Sequence, residues 1–156
     1  MVHAYWMDQA LRMAETAGKA GEIPVGALIV DDQEHLIAWG QNRKERDRNP
    51  LAHAEMEVIH QATQKLNCRY LQNCRLYVTL EPCPMCAGAI VLARLGMVIY
   101  GAKDSKTGAM GSVLDIPRSA AAFHRVEVIG GVQAAECQQL LQDWFRQLRL
   151  TKKTAK

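Results

Sequence analysis

The 156-residue sequence has no run of about 18 consecutive apolar residues, so no membrane-spanning helix is expected. Its first ten residues include Asp8 and lack a basic start followed by an apolar stretch, so nothing directs it out of the cytoplasm. No cysteine framework is present either. The five cysteines stand at 68, 74, 83, 86 and 137, an odd number without even spacing, which favours reduced thiols or metal ligands over disulfides. Internal repeats, low-complexity tracts and linkers are missing, so the chain reads as a single soluble domain over 1–156. Charge is not one-sided: 19 Lys and Arg against 16 Asp and Glu give a formal net charge of +3, which says little about partners. The C-terminal end is different. From Asp143 onward Arg146, Arg149, Lys152, Lys153 and Lys156 face one acid, and the basic tail from about 149 suits an anionic partner or a solvated helix end.

What is present is 49% hydrophobic residues in alternating helical and strand patterns. Residues 5–20 repeat apolar side chains at Trp6, Ala10, Met13, Ala14 and Ala17, the spacing of a helix that ends before Gly21. Residues 25–30 and 35–39, separated by polar turn material, predict a hairpin. Pro50 closes a charged loop, and a second helix is expected from near His53 to about Leu66. A strand over 76–80 is broken by Glu81-Pro82, and Pro84 suits the first turn of a helix continuing to Leu95, with Gly96 ending it. Strands over 97–100 and 125–129 flank a glycine-bearing loop over 101–111, and an amphipathic helix over 134–150 closes the chain. This order predicts a mixed five-stranded sheet with helices on both faces, a three-layer α/β/α sandwich.

The chemistry concentrates at two helix starts. His53-Ala54-Glu55 opens one, and Pro82-Cys83-Pro84-Met85-Cys86, thirty residues on, opens the other. Two cysteines three apart across a first helical turn can bring both sulfurs to one side, where the positive helix end favours thiolates. With the imidazole they make three ligands, His53, Cys83 and Cys86. Three protein ligands leave the fourth position of a tetrahedral zinc to water, the arrangement of a catalytic site. A structural zinc would need a fourth Cys or His. Cys68, Cys74 and His60 are available, but none belongs to a second tight pair. A redox reading of Cys83 and Cys86 leaves the His-x-Glu pair without a task. Glu55, two residues from a ligand, can stand beside that water without binding the metal, and serve as proton shuttle; Glu57 reads as a surface carboxylate. His-x-Glu followed by Pro-Cys-x-x-Cys is the signature known for zinc-dependent nucleobase deaminases.

Taken in order, Glu22-Ile23-Pro24-Val25-Gly26-Ala27, His53-Ala54-Glu55, Glu81-Pro82-Cys83-Pro84-Met85-Cys86 and Gly101-Ala102-Lys103-Asp104-Ser105-Lys106-Thr107-Gly108-Ala109 closely resemble the bacterial tRNA-specific adenosine deaminases, from about Trp6 to Arg146. The resemblance implies a cytidine-deaminase-like α/β/α fold, one zinc ion per subunit, a homodimer, and conversion of adenosine to inosine at the wobble position of an anticodon, most often in an arginine tRNA. Matched motif by motif, it implies that Asn42 holds the target nucleotide, that Asp104, Ser105 and Lys106 contact the flanking anticodon, and that Phe145 and Arg146 belong to an RNA-facing helix end. The residue types agree in kind: an amide offers donor and acceptor, a lysine neutralises phosphate, and an aromatic stacks a base. Each also has a plainer use, Asn42 as a turn former, 104–108 as a polar loop, and Trp144 beside Phe145 as core packing.

Two other functions compete. A zinc deaminase of a free base or nucleoside, of guanine or cytosine type, would share the metal site but not a basic rim. A silent nucleic-acid-binding or scaffold subunit would have no use for Glu55.

Overall fold

In the computed structural model, residues 1–155 are described, and the alternation expected of a layered α/β chain is present. The elements are α1 (Val2–Lys19), β1 (Gly26–Asp31), β2 (Leu36–Gln41), α2 (Ala54–Leu66), β3 (Cys74–Leu80), α3 (Pro84–Leu92), β4 (Met97–Ala102), a 3-10 turn (Ile116–Arg118), β5 (Glu127–Gly130) and α4 (Ala134–Thr154). The sheet order is β2-β1-β3-β4-β5. β1 pairs antiparallel with both β2 and β3, whereas β3, β4 and β5 run parallel, so the sheet is mixed.

Successive strand residues point to opposite faces, and this divides the core in two. Ala27, Ile29, Leu76, Val78, Val98 and Tyr100 meet Ala54, Val58 and Ala62 of α2 and Ala87 and Ile90 of α3. Leu28, Val30, Tyr77 and Ile99 meet Trp6, Met7 and Ala10 of α1 and Cys137 of α4. The result is the three-layer α/β/α sandwich. Close approach of α1 to the sheet depends on Gly26, where a Cβ would collide with the Ala10 carbonyl and the Ala14 amide.

Several boundaries differ from those expected. α1 starts at Val2, not near residue 5, because its buried stripe begins with Trp6 and Met7 and the preceding turn supports it. α3 ends at Leu92 rather than Leu95: Arg94 turns left-handed at φ 51, which sends Leu95 into the core instead of around another helical turn. β3 begins two residues earlier, at Cys74, which pairs with Asp31, and α4 runs on to Thr154.

α3 is the crossover between parallel β3 and β4, so its N-terminus and the carboxyl ends of those strands lie on one edge of the sheet. In open α/β sheets that edge is where ligand sites form. Among the described residues no helix is long and apolar enough to cross a membrane.

Candidate active site and metal centre

His53 and Cys83 occupy equivalent places in the fold: each is the extended residue that immediately precedes a helix, α2 and α3 respectively. Pro84 follows as the first helical residue and Cys86 completes the first turn of α3. The two helix starts converge. The Nδ1 atom of His53 lies 3.7 Å from the Cys83 Sγ and 3.6 Å from the Cys86 Sγ. All three ligand atoms lie within 4.8 Å of one another, an arrangement that could hold a metal ion. Cys86 is fully buried, whereas His53 and Cys83 face a cavity.

The electrostatics follow from this crowding. The hydrogen bond from Cys86, with the nearby imidazole, holds the Cys83 thiol down at about 4, a thiolate at neutral pH. The same bond and burial push Cys86 up. His53 is raised by its bond to Cys83. Glu55, in the first turn of α2, is 3% exposed, and burial raises its carboxyl to about 7.

The cavity has a volume of about 160 Å³ and is walled by residues from five segments: Ile23 and Val25, Asn42 and Lys44, His53 and Glu55, Leu80, Glu81 and Cys83, and Asp104 and Thr107. A typical pocket for a whole drug-sized ligand starts near 300 Å³, so this one takes a single flat ring system and leaves the rest of a larger ligand outside.

The MafB19-like deaminase family matches residues 1–149. A tRNA-specific adenosine deaminase of Bacillus subtilis is 42% identical over 97% of this chain and 93% of its own length. One from Aquifex aeolicus is 43% identical over 93% and 95%. The chain belongs to the tRNA-specific adenosine deaminases. A solved tRNA:A34 deaminase, from work on A-to-I editing at the wobble position, superposes on this deaminase with a TM-score of 0.84 at 38% identity, covering 87% of this chain and 98% of the other. A guanine deaminase of Bacillus subtilis superposes with a TM-score of 0.63 at 33% identity, covering 94% and 95%.

The remaining residues singled out in this deaminase separate into three places. Asn42 and Asp104 line the cavity, but both side chains are also engaged with backbone. The Asn42 Oδ1 accepts the Ala54 N–H at 3.0 Å, satisfying the start of α2, and its Nδ2 donates to the Ile23 carbonyl at 3.2 Å. The Asp104 carboxylate accepts from the Lys106 and Thr107 amides and the Thr107 hydroxyl, a self-contained turn that lowers its pKa against the opposing effect of burial. Lys106 lies instead with Phe145, Arg146 and Arg149 along a groove of about 500 Å³ beside α4. Ser105 is in a neighbouring depression with Lys103 and Ser112. Phe145 is 37% exposed and edge-on to Trp144, whose indole N–H donates to the Gly18 carbonyl at 3.0 Å, so Trp144 anchors α4 to α1. Arg146 is paired with Asp143 at 3.3 Å, on the surface.

Cys68 and Cys74 are apart from the cluster as free thiols, Cys68 exposed and Cys74 buried. Glu57 is not a fully solvated carboxylate. It is half-buried, 3.6 Å from Arg43, and accepts from Gln61 at 3.2 Å, outside the cavity.

Two cavity-lining residues, Lys44 and Glu81, and one buried acid outside the lining, Glu22, have no role assigned from the sequence. Lys44 adds a cation to the wall. Glu22, 1% exposed, accepts the Glu45 and Arg46 amides at 2.9 Å each and pins the loop that carries Lys44. Glu81, read as a strand breaker and as the first residue of the motif around Cys83 and Cys86 but given no role, is 2% exposed and collects four hydrogen bonds. A signal for it existed: it is the single acid between Glu57 and Asp104, in an otherwise apolar and basic stretch.

Proposed function

We propose that this protein is a zinc-dependent hydrolase that converts adenosine to inosine at the wobble position of a tRNA anticodon. The observation that carries the mechanism is the buried Glu55 beside the His53, Cys83 and Cys86 cluster on the floor of a cavity sized for one base. The donor set fits zinc. Tetrahedral coordination with Zn–S near 2.3 Å and Zn–N near 2.05 Å puts sulfur and nitrogen about 3.6 Å apart, against 3.6 and 3.7 Å here. Zinc, when bound, supplies a Lewis acid that brings a water into reach of deprotonation near neutral pH.

The chain's own residues do the rest. Deamination adds water across the C6 position of adenine and expels ammonia. Glu55 takes one proton from the attacking water and passes it to the ring nitrogen, then takes the proton of the new C6 hydroxyl and delivers it to the departing amine as the C6 carbonyl forms and the C–N bond breaks. A carboxyl raised toward neutrality by burial is matched to both transfers. Asn42, fixed by Ile23 and Ala54, offers its remaining amide capacity to the base, and Lys44 on the cavity wall supplies a cation suited to a phosphate.

The groove with Lys106, Phe145, Arg146 and Arg149 supports a polymeric substrate, since cations and an exposed aromatic suit phosphates and unstacked bases. Asp104 on the cavity wall and Ser105 in the depression with Lys103 and Ser112 are our candidates for contacts to the flanking anticodon. We read residues 1–156 as one deaminase domain with a basic end from about 149, acting in the cytoplasm on an arginine tRNA. We read it as a homodimer, for which exposed Leu51, Leu92, Val113 and Leu114 supply apolar surface.

A tRNA pool incubated with the protein and sequenced for A-to-G changes, beside adenosine, cytidine and guanine, tests this reading. Inosine at position 34 supports it. Turnover of guanine or cytidine with unedited tRNA would instead establish the free-base enzyme.

A further inference from the structure

We propose that Glu81 is a positioning residue for the substrate: its buried carboxylate holds the loop over 103–114 against the metal-ligand segment and so sets one wall of the cavity. This rests on the deaminase reading above. Glu81 ends the run of β3 and directly precedes Pro82 and Cys83, and its own N–H donates to the Ala102 carbonyl at 2.8 Å. The side chain faces the loop. Oε2 accepts the Asp104 amide at 3.0 Å and the Ser112 hydroxyl at 2.5 Å; Oε1 accepts the Met110 and Ser112 amides, each at 3.1 Å. Among the described residues no Lys, Arg or His pairs with this carboxylate, so oriented N–H and O–H dipoles alone compensate it.

The loop is built around that group. Ala109 donates to the Pro82 carbonyl at 2.9 Å, and Gly108 passes so close that a Cβ there would lie 2.5 Å from both Glu81 Oε2 and the Asp104 carbonyl. On its other side the same loop presents Asp104 and Thr107 to the cavity. Asp104 in turn bonds Lys106 and Thr107, so the segment behaves as one rigid turn with Glu81 as its anchor. His53 and Glu55 hang on α2, whose first amide is held independently by Asn42. Loosening Glu81 therefore moves a substrate-contacting wall without moving the proton shuttle.

Glu81→Gln keeps the shape but turns one oxygen into a donor facing donors, removing up to two of four bonds. With zinc-loaded protein and an anticodon stem-loop RNA, we expect KM to rise about tenfold or more while kcat stays within about threefold, the pattern of lost uniform binding. Zinc content stays at that of the wild type. Hydrogen exchange at the amides of Asp104, Met110 and Ser112 accelerates at least about tenfold, while amides of α2 and α3 keep their protection. Unchanged exchange at those three amides, loss of zinc, or a fall in kcat at constant KM overturns the proposal. Ser112→Ala, which removes one bond and leaves the carboxylate three partners, carries the same test should Glu81→Gln fail to fold, with a KM increase of a few fold. A wild type that does not deaminate the RNA refutes the functional reading; the exchange measurement then still decides whether Glu81 anchors the wall.

Discussion

Replacing Glu55 by Gln should abolish turnover and at the same time make the protein more stable. The side chain is 3% exposed, and burial lifts its pKa from 4.5 to about 7. Below pH 4.5 folded and unfolded chains both carry the protonated acid, and burial costs nothing extra. Between 4.5 and 7 the unfolded chain releases its proton while the folded one retains it, so stability falls as pH rises, and above 7 the penalty is complete. The rise from 4.5 to about 7 corresponds to roughly 3–4 kcal/mol at about 1.4 kcal/mol per tenfold change in proton affinity. Zinc at the adjacent ligands offsets part of this, so the gain for the neutral amide at pH 8 should be about 1–3 kcal/mol, or about 3–10 °C in Tm for a domain of this size. Turnover should fall by about 10² to 10⁴, the usual worth of a general acid-base group. Thermal melts of zinc-loaded wild type and Glu55→Gln at pH 5 and pH 8, with zinc analysis and single-turnover deamination, check all three. The Tm difference should shrink toward pH 5. A variant that is less stable at pH 8, binds less zinc, or keeps turnover within tenfold of wild type refutes the argument, because Glu55 would then be a ligand or a structural acceptor.

Cys83→Ala should lose the metal and destabilise the fold by about 4 kcal/mol in zinc held a thousandfold above its Kd, since the ion joins the starts of α2 and α3; metal analysis and melting curves with and without chelator measure it, and a folded, active variant is the contrary result. Asn42→Ala orphans the Ala54 amide, while the Ile23 carbonyl keeps the Val25 N–H at 2.8 Å, so a loss of about 1–3 kcal/mol is expected beside any effect on substrate, and an unchanged Tm would show that water replaces the amide. Removing charge at Lys106, Arg146 and Arg149 together, which line one groove away from the ligands, should weaken tRNA binding and flatten its salt dependence by roughly 2 log units per log unit of salt, at about 0.7 per phosphate contact. Zinc occupancy should not change. Equal affinity and slope before and after would place the RNA elsewhere.

Much of the architecture could be read directly. The alternation of Ala27 with Leu28 and of Leu76 with Tyr77, the helical stripes, Pro84 at a helix start, and the ligand spacing are relations among neighbours in the chain, and the repeat of a strand or the reach of one helical turn is enough to interpret them. The same holds for Glu55, whose place two residues after His53 follows from the helix alone. The end of α3 was misread because Leu95 continues the apolar pattern of a helix while the backbone at Arg94 has already reversed.

What decided the rest was contact between distant segments. Strand order put β1 between β2 and β3 and brought two helix starts onto one edge. Lys106 met Arg146 and Arg149 because α4 folds back along the sheet. Asn42 became the partner of the first amide in α2, and the carboxylates of Glu22 and Glu81 became anchors for loops that begin more than twenty residues later. A buried acid has no local pattern, since its partners are backbone amides, which every residue carries; only folding selects which of them converge on it. The sequence by itself determined which atoms can bind a metal and move a proton. Tertiary structure decided the shape of the cavity around them, because that shape depends on hydrogen bonds whose two ends are remote in the chain.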